Sequence, residues 1–125
     1  MAGMKAFRYK RLEVYRLAFQ FKVLVYHVCR SLPKSRGGTR MNIERHLGDT
    51  ALPIVRATCA LTRGDAVWEL RVARRAIHDC MRHMRPLRES GDGDQARITA
   101  ALELGERAIV LLTQTMKRLK AGGSF

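Results

Sequence analysis

Apolar side chains recur along this chain at helical rather than strand spacing. Over its last third, Ile98, Leu102, Gly105, Ile109, Leu112, Met116 and Leu119 follow one another at alternating intervals of four and three. That is the seam two near-parallel helices share when they pack side by side. It predicts a helix over 95–119, with Asp94 as N-cap and the turn-forming Ser90-Gly91-Asp92-Gly93-Asp94 in front of it. Leu70, Ala73, Ile77, Cys80, Met84 and Leu87 predict a second helix over 66–88, capped by Asp65.

The first half is punctuated by its prolines and glycines. A helix over 11–30 should stop at Ser31-Leu32-Pro33, because the residue before a proline is pushed out of the α region. Lys34-Ser35-Arg36-Gly37-Gly38 reads as a basic loop. Thr39 then caps a helix over 39–63, with Pro53 inside it as a kink or break. No stretch alternates as a strand does. The expected architecture is all-α: an up-down-up-down antiparallel four-helix bundle over 11–119, with a basic arm at 1–10 and a fraying tail at 120–125.

The first helix is apolar too far around its circumference for one core to cover. We read the excess as a second buried contact, an oligomer interface through Tyr15, Phe19, Phe21 and Tyr26. The plainer alternative is a broad amphipathic helix with its tyrosines at the boundary.

Composition narrows the class of function. A chain of 125 residues makes one domain, and 46% hydrophobic with 28% charged residues excludes general disorder. The charge is one-sided: 24 Lys and Arg against 11 Asp and Glu, a net +13. From Glu89 onward five bases balance five acids, so the first 88 residues carry the whole excess. A polyanion is the implied partner, nucleic acid ahead of an anionic membrane surface. Glu13, Arg16 and Lys22 interrupt the most apolar run, so it is no membrane span. Cys29, Cys59 and Cys80 lie in apolar stretches without paired spacing, and are expected to be reduced and buried in a cytoplasmic protein.

The excess charge has a focus. Arg71, Arg74, Arg75, His78, Arg82 and Arg85 recur every three or four residues within an arc of roughly 100°. Like charges so spaced cost a few tenths of a kcal/mol per pair, and only Glu69, Asp79 and Glu89 lie near enough to offset them. Arginine suits forked contacts to phosphate oxygens. Lys34, Arg36 and Arg40, with Lys5, Arg8, Lys10 and Arg11, would widen such a surface. The competing reading is a solvated face, or arginines paired with acids of a neighbouring subunit. Trp68 at the stripe's edge fits a base-stacking residue, but indoles more often pack, and it is expected to do so.

Signals for catalysis are weak. The histidines never form HExxH, Cys80-x-x-His83 lacks a second half, and Gly91-Asp92-Gly93-Asp94 lacks the spaced ligands of a calcium loop. No catalytic residue, metal or cofactor is expected. A small enzyme using Cys80 and His83 is the weakest alternative, and it would need an accessible thiol of low pKa.

Several segments together resemble a family of small bacterial four-helix-bundle proteins. They are Phe7-x4-Leu12-Glu13-Val14-Tyr15-x2-Ala18, Ser31-Leu32-Pro33, Leu47-x5-Pro53 and Trp68-x-Leu70-x-Val72-Ala73-x2-Ala76. The family includes proteins encoded in intervening sequences of large-subunit ribosomal RNA genes and the accessory variability determinants of diversity-generating retroelements. The intervening-sequence branch usually continues after the proline with an Asn-Ile-Ala-Glu-Gly-like segment, where this chain has Ile54-Val55-Arg56-Ala57-Thr58. The high charge and Ser31-Leu32-Pro33-Lys34-Ser35-Arg36-Gly37, followed by Arg40, look more like the retroelement branch. That resemblance implies a homopentameric ring that binds RNA or DNA and a partner reverse transcriptase. The other branch implies a protein-interaction scaffold with no direct nucleic-acid role.

Overall fold

The computed structural model describes residues 12–125, and those residues form helices and no strand. Helix α1 spans Glu13–Ser31, α2 Gly37–Leu47, α3 Leu52–Thr58, α4 Arg63–Ser90 and α5 Gln95–Lys120, with a 3-10 turn at Lys34–Arg36. The chain is all-α, as expected, and its four main helical stretches pack together, α2 and α3 forming the second stretch. The predicted arm at 1–10, with Lys5, Phe7, Arg8 and Lys10, and the neighbouring Arg11, lie outside the described residues.

Local signals set most of the helix ends. Leu32 turns extended before Pro33 and closes α1 by donating its N–H to the Cys29 carbonyl at 3.3 Å. Gly91 ends α4 in the left-handed conformation, φ 75°, which glycine adopts without penalty. Asp94 caps α5 as expected, its Oδ1 accepting from Arg97 N–H at 3.1 Å. The cap of α4 is Thr62 instead of Asp65: its Oγ1 accepts from the Asp65 N–H at 3.0 Å. Asp65 therefore sits within the first turn, where a carboxylate favours the positive end of the helix dipole.

The second stretch departs from expectation at both ends and in the middle. The 3-10 turn runs into α2 at Gly37, so the expected basic loop is helical and Thr39 lies inside a helix rather than at its cap. The break falls at residues 48–51, ahead of Pro53. There the buried Thr50 hydroxyl donates to the Leu47 carbonyl at 2.8 Å. Pro53 belongs to the first turn of α3, where its missing N–H had no helical partner to lose.

The core is centred on α5, which packs against both α1 and α4, while α2 and α3 pack along α4. Among the glycines, Gly105 of α5 is the most closely packed. A Cβ there would stand 2.7 Å from the Met81 sulfur of α4 and 2.9 Å from Cε2 of the Phe21 ring of α1. Phe21 is thus fully buried inside the subunit, which corrects its assignment to an oligomer interface. Val14, Leu17, Ala18, Val25 and Val28 share that inner face of α1. Tyr15 is half-buried and stacks on Phe19 with ring centroids 5.9 Å apart. Phe19 and Tyr26 stay about half exposed, at 47% and 48%.

One end of the molecule is tied by polar contacts. The Ser31 hydroxyl accepts the Asp94 N–H at 2.9 Å, and Arg36 Nε donates to Asp92 Oδ2 at 2.6 Å. The Arg36 hydrogen bond, then that of Ser90, holds the Asp92 carboxyl below its ordinary range.

Filling the Gly105 contact tests this arrangement. Gly105→Val should destabilise the protein by about 1–3 kcal/mol through overpacking. It should lower the urea midpoint while leaving the helical circular dichroism of the folded state intact.

Candidate nucleic-acid interface

Helix α4 is two-faced because its sequence is. Leu70, Ala73, Ile77, Cys80, Met84 and Leu87 are all buried, which fixes the rotation of the helix about its axis. On the opposite side Arg71, Arg75, His78, Arg82 and Arg85 are exposed, as the sequence predicts. Arg74 is the exception in the stripe. It is half-buried, and its Nη1 donates to Thr113 Oγ1 of α5 at 3.1 Å, so it serves the seam between the two helices.

The other flank of the stripe borders α2. Asp79 Oδ1 accepts from Arg82 Nη2 at 3.2 Å, and its Oδ2 lies 3.7 Å from His46 Nδ1. The His46 and His83 rings stack at 6.2 Å, only 10° from parallel. Burial, followed by the charges of Arg82 and His46, pushes the His83 imidazole below its ordinary pKa against the opposing pull of Asp79. Arg71, Arg75 and Arg85 form no ion pair or hydrogen bond among the described residues, so no acid there offsets their positive charge.

The expected extension through the first loop is only partly free. Arg36 is bound to Asp92, and Arg40 Nε lies 3.3 Å from Glu44 Oε1 one turn along α2. Lys34 is exposed and has no such partner among the described residues. Trp68 does not pack as expected: it is 59% exposed in the second turn of α4. Beside it, Lys120 at the end of α5 joins the basic surface. Lys120 belongs to the stretch whose charges cancel along the chain, so charge counting passed it over.

The cysteines divide differently from expectation. Cys29 and Cys80 are buried, but Cys59 is exposed where the chain leaves α3. Burial is the main force pushing the Cys29 thiol up to about 11 and the Cys80 thiol up to about 12. The Cys80 thiol also lies 3.7 Å from the Ile43 carbonyl, to which it donates. Burial thus works against the thiolate that a cysteine nucleophile needs. Among the described residues no three His, Cys, Asp or Glu side chains come together as a metal site.

Comparison with protein-family models and with curated proteins finds no match to this chain.

Thiol labelling checks the burial pattern. Iodoacetamide at mildly alkaline pH should alkylate Cys59 of the folded protein and spare Cys29 and Cys80 until denaturant is added. Peptide mass spectrometry showing rapid modification of Cys80 in the folded state would contradict it.

Proposed function

We propose that this protein is a non-enzymatic accessory protein that binds nucleic acid through the outer face of α4. The observation that carries the reading is the row Arg71, Arg75 and Arg85, exposed on one helix with no partner among the described residues. From Arg71 to Arg85 the row is about 21 Å long at the helical rise of 1.5 Å per residue. DNA places a charge every ~1.7 Å of duplex, so several phosphates fall within reach. Arg82 joins the row by releasing Asp79, and His78 supplies a further donor. Contacts of this kind tolerate any sequence and weaken steeply with salt.

The finer architecture belongs to the same proposal. An up-down-up-down bundle is supported by contacts that set α4 antiparallel to α5: Arg63 at the start of α4 with the Gly122 carbonyl just past α5, Arg74 with Thr113, and Leu87 near the end of α4 with Gln95 at the start of α5. Assembly into a homo-oligomeric ring, a pentamer by resemblance to the retroelement accessory proteins, would cover the exposed Phe19, Val23 and Tyr26 of α1. Repeating the basic face around a ring raises avidity for a polyanion well above that of one subunit. The same resemblance proposes a reverse transcriptase as protein partner, and the three cysteines without paired spacing support the cytoplasm as location. No described helix is long and apolar enough to cross a membrane.

A scaffold of the intervening-sequence type is the second reading. It is favoured by Arg36, Arg40, Arg74 and Arg82 already having partners inside the subunit. Salt-insensitive assembly without affinity for RNA or DNA would support it.

Binding of a structured RNA and of a DNA duplex should fall steeply across a salt series. Replacing Arg71, Arg75 and Arg82 together by Glu should abolish both without loss of helicity; retained binding would defeat the proposal. For assembly, Phe19→Asp should reduce the mass seen by light scattering while the fold persists, and an unchanged oligomer would remove α1 from the interface.

A further inference from the structure

Trp68 is the lone tryptophan of the chain and stands 59% exposed, a large apolar surface left in water. It lines a shallow cleft of about 280 Å³ between the start of α4 and the end of α5. Val67 and Leu119 also line that cleft, and Arg63, Arg71 and Lys120 bring positive charge to it. Arg63 is held by the Gly122 carbonyl at 2.7 Å, whereas Arg71 and Lys120 have no partner among the described residues. Glu69, the adjacent acid, is engaged by Arg56 at 2.9 Å. An open aromatic face therefore sits beside two uncompensated cations, at the head of the guanidinium row.

We propose that this cleft binds an unpaired nucleotide, the base stacked on Trp68 and its flanking phosphates held by Arg71 and Lys120. The inference rests on the basic-face reading and adds a substrate class to it: single-stranded segments, in preference to duplex. A duplex keeps its bases stacked inside and offers the cleft only phosphates. An unpaired base has a free π-face, which aromatic side chains bind with little regard to sequence. The space suffices, since a cavity of about 150 Å³ already accommodates benzene. An open strand leaving the cleft continues onto Arg75 along the same face of α4, about 10 Å further on at the helical rise.

The single indole makes the site its own reporter. Oligouridylate and oligothymidylate should both quench Trp68 emission, and a matched duplex should bind with far less quenching. Trp68→Ala should weaken single-strand binding by about tenfold, the worth of one stacked base. It should leave duplex affinity and the salt slope unchanged, and Trp68→Phe should recover part of the loss. Arg71→Ala and Lys120→Ala should each lower the slope of log affinity against log salt by about one. Equal loss for single strand and duplex, or single-strand binding without a change in emission, would overturn the proposal. An altered oligomer mass in Trp68→Ala would overturn it in favour of a contact between copies. Quenching by oligoglutamate as strong as that by oligouridylate would overturn it in favour of an acidic protein partner. If Arg75→Glu with Arg82→Glu removes binding of every strand while Trp68→Ala changes nothing, the stacking inference alone fails. If the wild-type protein binds no nucleic acid at low salt, the basic-face reading fails with it.

Discussion

Three helices meet where Gly105 has no side chain. The Phe21 ring from α1 and the Met81 sulfur from α4 both press on the backbone of α5, at distances no Cβ would permit. With α5 held between them, the buried row Leu70, Ala73, Ile77, Cys80, Met84 and Leu87 admits one rotation of α4. Turning the helix by a single residue would carry guanidinium groups toward the core, where an unpaired charge costs several kcal/mol. Core packing and the basic face are therefore two sides of one constraint. Apolar contacts choose which arginines meet solvent, and α5 and α2 along the flanks decide which are free.

The limits of reading this chain from its sequence follow from the same contact. The four-three spacing of Ile98 through Leu119 and the inner row of α4 are local repeats, so those helices were legible, as was the Asp94 cap. Phe21 was not. A helical wheel shows how wide an apolar face is, but how much of it a neighbour covers depends on Gly105, far along the chain and on another helix. Thr62 and Asp65 are both good caps, and only the backbone shows that the hydroxyl accepts the bond. The Arg40–Glu44 pair was readable from its one-turn spacing, whereas Arg36 and Asp92 are 56 residues apart and meet only because Ser31 and Asp94 tie the ends of α1 and α5. Trp68 ran against the general tendency of indole to pack, which no pattern in the sequence contradicted.

Placement of the few acids, more than the number of bases, shapes the candidate surface. Asp92, Glu44, Glu69, Asp79 and Asp94 each hold a base of the same subunit. None of the five reaches Arg71, Arg75 or Arg85. Guanidinium groups present five donors in a fixed fork, so an arginine left unpaired offers all of them to an external anion. The contacts at the margin of the surface behave differently. Asp92 has a lowered pKa in the folded state, so the Arg36 contact stabilises the fold at neutral pH and is lost only as acid protonates the carboxyl. A surface built this way leaves three guanidinium groups without an acid beside them, while Arg36 and Asp92 are spent on holding the helix ends together.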